Sequence, residues 1–365
     1  MLGEPLINIT ESAGIVPKIN YSNVVCIVAP FKDSSFVFKS YKNIQTAITE
    51  QKTTDEDAVG YRYLQILSEN NNIKDVILCN LTTGENEYDY SLTDEKLANI
   101  FEELKDVHFN ILAIPYELTP NQLTMYKVFR DNEFKKMNAF GLNTYIEPTL
   151  EKIQNISAEF ADGGIYKVIT TPISKDLYNY SLSESVIYHT AVTAGHNENV
   201  SETYFMLDGV SGEITKEKYS EEVYNAIINN GSLAVGYRDK VNGIVQIINS
   251  NTPSMNDLKI ERVYHLIINE VRRLIEDTIG KDNSRSLTYP GLIGTLISIK
   301  NKYVGLGYIT DLNYTLNKIG QDKAQLTLKV NEDDIIGKFD VSISLEINEE
   351  WYYGLCIKWS KSRNR

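Results

Sequence analysis

The sequence predicts an N-terminal α/β domain built on a doubly wound, mostly parallel sheet. It predicts a C-terminal α+β domain with a strand-rich end, and extended arms at both termini. Three observations predict this. From residue 23 onward, short continuous apolar runs alternate with amphipathic helical stretches, the pattern of strands buried on both faces and joined by right-handed crossovers. The last part of the chain instead alternates apolar and polar residues with period two, the mark of half-buried strands. The first 22 residues hold one short strand-like element, too little apolar surface to fold alone. The expected bounds are an arm over 1–22, the α/β domain over 23–200, the α+β domain over 201–350 and a C-terminal arm over 351–365.

In the arm, Ile7 and Ile9 share one face of PLINITES, and Pro5 and Pro17 bracket it, each forbidding a ladder hydrogen bond. SNVVCIVAP is the first buried strand and DEDAVGYRYLQILSEN a helix with Val59, Tyr63, Ile66 and Leu67 on its apolar stripe. DVILCN is a strand. LTDEKLANIFEELKDV is a helix capped by Thr93, with Asp94 and Glu95 in its first turn. FNILAIP is a strand ended by Pro115, and the next helix has Thr119 as cap and Pro120 at its first position. AFGLNTYIEP and GIYKVITTP continue the strands, with a short helix over 149–160 between them.

SLSESVIYHTAVTAGH is a helix capped by Ser181 or Ser183 and stopped near Gly195. A short helix ended by Gly231 precedes a strand pair, SLAVGYRD and NGIVQIINSN, which turns at Asp239–Gly243. The longest helix follows, striped by Ile260, Val263, Tyr264, Ile267, Val271, Leu274 and Thr278, then a glycine-loosened helix over PGLIGTLISIKNKYVGLGYI. Four alternating strands close the chain: LNYTL, QLTLKV, FDVSISLEIN and WYYGLCIKW. The third puts Phe339, Val341, Ile343, Leu345 and Ile347 on one face, and the fourth Trp351, Tyr353, Leu355, Ile357 and Trp359. A chain end of this quality closes a sheet either in its own domain or in another subunit.

Composition narrows the function. The net charge of −13 argues against a nucleic-acid partner, which requires basic stripes to displace counterions. There is no apolar run long enough to span a membrane and no recognisable signal peptide. Three cysteines, Cys26, Cys79 and Cys356, stand without framework spacing, so reduced thiols and synthesis in the cytosol are expected. Charge is uneven at the end: residues 331–350 hold seven acids against Lys338 alone, whereas the final eight residues hold Lys358, Lys361, Arg363 and Arg365 and no acid.

No motif of catalysis is present. There is no GxGxxG after a strand, no GxxxxGK(S/T), no GxSxG and no HExxH. The loop after the first strand, APFKDSS, lacks the glycine a nucleotide site at the switch point requires. His189 and His196 lie seven apart on one helix, about two turns, with no further ligand beside them. Arg272 and Arg273 on the polar side of the long helix read as a solvated face or as a docking site for an acidic partner. The sequence thus predicts a structural protein with no catalytic residue, cofactor or metal, against the alternative of an α/β enzyme with an unrecognised site.

Several stretches, in order, resemble the contractile tail sheath proteins of phages and phage-like particles. PLINITE followed by SNVVCIVAP resembles that family's opening. SESVIYHTAVTAGHNENVSETY resembles its helix ending in Ala-Gly, followed by Ser-x-Thr; here these are Ala194, Gly195, Ser201 and Thr203. EVYNAIINNGSLAVGYRDKVNGIVQIINSNTP with the helix after it is the strongest match, with Asn249–Pro253 in place of the family's strand-end text and Gln246-Ile247-Ile248 where an arginine is usual. FDVSISLEI and WYYGLCIKW resemble the final two strands. The resemblance implies a homopolymer of stacked rings around a tail tube protein, bounded by baseplate and tail terminator proteins, with another virion or baseplate component as the alternative. Such a particle is made in the bacterial host cytoplasm and carried in a phage tail, an R-type bacteriocin or a contractile injection system. It implies that Ile7 and Ile9 of one chain, and Trp351, Tyr353, Leu355, Ile357 and Trp359 of another, add strands to a third. The acceptor in the subunit's own sheet is then the strand of Val341, Ile343, Leu345 and Ile347. By the same resemblance Arg262, Arg272 and Arg273 face the tube, with the basic end from Lys361 to Arg365 competing for that role.

Overall fold

The run VVCIVA becomes a strand because β-branched and apolar residues fit a pleated surface covered on both sides. In the computed structural model it is β1 (Val24–Ala29), and five of its six residues are fully buried. The structure describes residues 24–54, 56, 58–70, 73, 75–82, 91–105, 107, 109–133, 140–144, 149–160, 166–169, 171–175, 178–198, 200–211, 214–252, 258–260, 262–263, 266–267, 270–271, 289–318, 324–331, 338–346 and 356–361.

After β1 come β2 (Phe38–Tyr41), α1 (Ile44–Glu50), α2 (Gly60–Ser68), β3 (Asp75–Asn80), α3 (Asp94–Leu104), β4 (Ile111–Ala113), α4 (Pro120–Glu133), β5 (Phe140–Thr144), α5 (Leu150–Phe160) and β6 (Tyr166–Ile169). Then follow β7 (Ser174–Lys175), β8 (Tyr178–Asn179), α6 (Leu182–Gly195), β9 (Met206–Leu207), β10 (Val210–Ser211), α7 (Thr215–Lys218), α8 (Glu221–Asn229), β11 (Ser232–Asp239) and β12 (Ile244–Asn249). The helix α9 is helical at every described position from 258 to 271. The chain closes with α10 (Tyr289–Gly305), β13 (Asp311–Lys318), β14 (Ala324–Asn331), β15 (Lys338–Glu346) and β16 (Cys356–Lys361).

Nine strands form one sheet in the order β2-β3-β1-β4-β5-β6-β11-β12-β9. From β3 to β11 every neighbour is parallel; β2, β12 and β9 are antiparallel at the ends. Alternation along β1 sends Val25 and Ile27 into a core with α1, α2 and α6, and Cys26 and Val28 into a second core with α3, α4 and α8. Both faces are therefore covered, as the doubly wound reading requires.

The boundary expected at residue 200 falls inside this sheet. β11 runs parallel to β6, pairing Ser232 with Val168 and Leu233 with Ile169, so the strand pair assigned to the second domain extends the first. The physical reason is edge satisfaction: β6 offers unpaired backbone groups, and β11 takes them up before its own hairpin partner β12 is reached.

Helix caps follow the sequence closely. The Thr93 side chain accepts from the Lys96 N–H, and Thr119 and Gln122 bond each other reciprocally. For α6 the cap is Ser181, in a capping box with Glu184; Ser183 instead donates to the Pro115 carbonyl. Helix α6 is buried at every residue from Ser185 to Ala194, wedged between α2 and strands β4, β5 and β6. The segment α1–β2 escapes sequence reading, because KSYKNIQTAITE carries too few apolar residues to show a period.

The last four strands make a separate antiparallel sheet, β13-β14-β15-β16. Here β16 pairs with β15 of the same chain, Ile343 facing Trp359 and Leu345 facing Ile357 in Cα register. The sequence reading places this strand in a neighbouring subunit. In a lone chain its own edge is the one within reach.

Candidate functional site

In doubly wound sheets ligands enter the crevice at the topological switch point, here above the ends of β1 and β4. Phe31, just past the end of β1, is almost wholly buried; its N–H donates to the Asn80 side chain at 2.9 Å, and its carbonyl accepts from the Thr82 hydroxyl at 2.9 Å, which ties the ends of β1 and β3 together. The Gly60 N–H donates to the Pro30 carbonyl at 2.9 Å, and a Cβ on Gly60 would sit 2.5 Å from the Phe31 ring. Burial also pushes the Tyr63 and Tyr116 hydroxyls above the ordinary phenol range at the same end of the sheet.

Chemistry concentrates instead where the resemblance motifs meet. Helix α6 ends at Ala194-Gly195, and the Asn70 side chain donates to the Ala191 carbonyl at 2.9 Å. A Cβ on Gly195 would lie 1.6 Å from the Asn70 amide nitrogen, so glycine here is the condition for that side-chain cap. The segment after α6 then carries Glu198 and Glu202 into the interior, 5% and 1% exposed. Thr203 and Ser250 share a hydroxyl hydrogen bond at 2.8 Å, and the Ser250 N–H donates to Thr203 Oγ1 at 3.3 Å. Asn249 donates to the Ile228 carbonyl at 3.0 Å, and the Ser250 carbonyl accepts from the Leu258 N–H at 3.3 Å. Ser-x-Thr after α6 and Asn-Ser at the end of β12, widely separated in sequence, thus form one knot at the sheet end.

Arg262 of α9 completes it. The side chain is 6% exposed, and its Nη2 donates to the His196 carbonyl at 3.0 Å. Burial pushes the guanidinium down, and the neighbouring Glu198, Glu202 and Tyr308 oppose that. Tyr308 donates to Glu198 Oε2 at 3.2 Å; burial first, then the Glu198 charge, pushes its hydroxyl up to about 12. Beyond it Glu270 of α9 accepts from the Tyr303 hydroxyl and pairs with Lys302 at 2.7 Å. The knot therefore ties the end of α6, the β12 edge, α9 and α10 into one joint. Within it Arg262, Glu198 and Glu202 are all buried, and the bonded partner of the guanidinium is the His196 carbonyl.

Arg262 is accordingly corrected from a tube-facing residue to a buried structural one. The helical stripe alone places it on α9 without saying which further face a loop will cover. Arg272 and Arg273, Ile7 and Ile9, Ile347, and Trp351, Tyr353 and Leu355 lie outside the described residues. Val341, Ile343 and Leu345 lie on β15, and Ile357 and Trp359 on β16. Glu198, Glu202 and Tyr308 were not marked by any spacing in the sequence; only their burial singles them out. His189 is buried within α6, its ring edge-on to Tyr188, and His196 packs its ring 4.3 Å from that of Phe205. Among the described residues no three His, Cys, Asp or Glu side chains group as metal ligands, and no helix is long and apolar enough to cross a membrane. Cys26 and Cys79 are free thiols facing each other across β1 and β3, Sγ to Sγ 3.4 Å.

No protein-family profile and no curated protein matches this chain. Solved structures do. A sheath tail protein of Listeria innocua superposes with a TM-score of 0.67 at 12% identity, covering 90% of this chain and 98% of its own. A sheath tail protein of Desulfitobacterium hafniense gives 0.65 at 11% identity, covering 89% and 96%. The helical sheath of the anti-feeding prophage in its contracted state gives 0.53 at 13% identity, covering 94% and 90%. Over about nine-tenths of its length, then, this chain has the fold of sheath tail proteins.

Proposed function

We propose that this chain is a structural subunit of a contractile tail sheath. It polymerises as stacked rings around a tail tube, between a baseplate and a tail terminator, and contracts to drive the tube through a target envelope. The observation that carries the reading is the shared fold over nearly the whole of both chains, with no large part of either left over. The particle, a phage tail, bacteriocin or injection system, is assembled in the bacterial cytoplasm in this reading.

Subunits are linked by strand addition, in which backbone edges are satisfied between chains and alternate side chains fill pockets. Ile7 and Ile9 of one copy, and Trp351 to Trp359 of another, join the β15 sheet of a third. Each such strand contributes about 0.5–1.5 kcal/mol net per hydrogen bond, weak singly. Two tethers per subunit raise the effective concentration and hold the lattice. Arg272 and Arg273 present cations to acids on the tube. Contraction is a passage between two discrete packings of the same parts, with no chemical step in the subunit.

Expression, sedimentation and electron microscopy test this. Tubular high-mass assemblies are expected. Deletion of residues 1–20 or 351–365, and the double change Leu355→Asp/Ile357→Asp, should give folded monomers that no longer polymerise. Monomers alone from the unaltered chain refute the sheath reading. An unfolded Leu355→Asp/Ile357→Asp chain returns the last strand to its own domain.

A further inference from the structure

The sequence holds two Asn-Gly pairs, Asn230–Gly231 and Asn242–Gly243. Asparagine before glycine is the step at which a chain reacts most readily with itself. The glycine nitrogen has no side chain beside it to hinder approach to the asparagine Cγ, and glycine's backbone freedom lets the two atoms meet. The fold treats the two pairs oppositely.

Asn230 closes α8. Its N–H and its Nδ2 both donate to the Ala226 carbonyl, at 3.0 and 2.8 Å. Gly231 is buried, and Ser232 after it begins β11, a strand paired on both edges. Bringing the Gly231 nitrogen onto Cγ would break the helix end and drag that strand. Asn242 stands instead at the tip of the β11–β12 hairpin. Lys240, Val241, Asn242 and Gly243 are all exposed, Val241 at 94%. No described atom lies within 4 Å of where a Cβ on Gly243 would stand, so there is open space around the reacting nitrogen. The Asp239 carboxylate clamps this turn. Its Oδ1 accepts from the Val241 N–H at 3.0 Å and the Asn242 N–H at 3.2 Å, and its Oδ2 accepts from Asn242 Nδ2 at 2.5 Å. These bonds, that from the Asn242 side chain foremost, hold the Asp239 carboxyl below its usual range.

We infer that Asn242–Gly243 is a site of spontaneous deamidation, the exposed turn leaving it free to react while the helix end protects Asn230–Gly231. The Gly243 nitrogen bonds to Asn242 Cγ and closes a succinimide. The Cγ–Nδ2 bond breaks, and Nδ2 leaves as ammonia with the Gly243 amide proton. Water then opens the ring at either carbonyl, giving aspartate or isoaspartate at position 242. Water is the co-reactant, and nothing is oxidised or reduced. The product lacks the donor that Asp239 Oδ2 accepts from and sets a second carboxylate against it, so the clamp weakens and the turn opens beside Lys240. The isoaspartate form also lengthens the backbone of the turn by one carbon. This ageing of the hairpin is independent of the sheath reading.

The test uses the full chain, held in mildly alkaline buffer and sampled over days by peptide mass spectrometry. The Asn242 peptide should gain the mass of an amide turned acid, with isoaspartate detected by enzymatic isoaspartyl methylation. The Asn230 peptide should convert roughly tenfold more slowly, because its reaction waits on local opening of the helix end. In strong urea the two rates should converge. Equal rates in the folded chain, or a difference that persists unchanged in urea, overturns the inference. Asn242→Asp, which installs the charge at once, should be cut by trypsin after Lys240 roughly threefold faster than Asn242→Ser, which adds no carboxylate. Equal cutting of the two variants overturns the opening of the turn.

Discussion

Replacing Arg262 with methionine is the sharpest perturbation of the joint. The side chain keeps its length and loses its charge. It takes the donor from the His196 carbonyl and removes the positive charge near the buried Glu198 and Glu202. Losing a buried hydrogen bond from a charged donor costs about 1.5–3 kcal/mol. Against a total stability of about 5–15 kcal/mol this is a sizeable fraction. With a urea dependence of about 3 kcal/mol/M the unfolding midpoint should fall by roughly 0.5–1 M. The triple change Arg262→Met/Glu198→Gln/Glu202→Gln, which removes the charges together, should recover part of the loss. Urea titrations followed by circular dichroism decide it. A midpoint for Arg262→Met equal to that of the unaltered chain, or a triple variant weaker than the single one, refutes the account of the joint.

The knot and the packing around Phe31 give further expectations. Thr203→Val should destabilise by about 1–3 kcal/mol by orphaning the Ser250 hydroxyl, and Thr203→Val/Ser250→Ala should be less damaging than the sum of the two changes in a double-mutant cycle. Gly60→Ala should cost about 1–3 kcal/mol, since the added Cβ meets both the Phe31 ring and the Pro30 carbonyl oxygen at 2.7 Å. Phe31→Leu in the same chain should return part of it, read as a shift in thermal midpoint. Burial, with Glu69 alongside, pushes the Tyr180 hydroxyl up to about 12. Its contribution is therefore present below the unfolded value near 10 and lost as pH rises towards 12, and Tyr180→Phe should move the alkaline unfolding midpoint upward.

The parallel strands were legible because burial on both faces writes an unbroken apolar run, as in VVCIVA and DVILCN, and no other element of that length does so. The β11–β12 hairpin was legible because its turn is local. Its membership of the first sheet was not, because the partner of β11 is β6, whose register with it no local pattern encodes. Polar residues that face inward defeat the same reasoning. Glu198 and Glu202 look like solvated loop acids until Arg262 arrives from α9, and Arg262 looks solvated until that loop covers it. Each is explained only by the other, so neither can be read alone. Yet Ser201, Thr203, Asn249 and Ser250 carried the family resemblance in the sequence, and the knot gives its cause: hydroxyls and an amide that lock the sheet end to the start of α9.

The last strand shows why pattern and structure assign it differently without conflict of physics. β16 meets β15 in a six-residue antiparallel register from Val341↔Lys361 to Glu346↔Cys356. A β16 from a neighbouring copy would make the same pairs in the same register, so the backbone bonds and cross-strand neighbours are unchanged by exchange. What differs is connection. In one chain nine residues separate Glu346 from Cys356, and closing so short a loop costs about 2 kcal/mol of chain entropy beyond a constant. A lone chain accepts that cost because no other strand is present at comparable concentration. In the proposed lattice a neighbour's strand is tethered beside the same edge at millimolar effective concentration, and the balance turns on linker geometry. Alternation therefore specifies that Ile357 and Trp359 belong to a strand on this edge. Which chain supplies that strand is a property of assembly, and it is not written in the period of the residues.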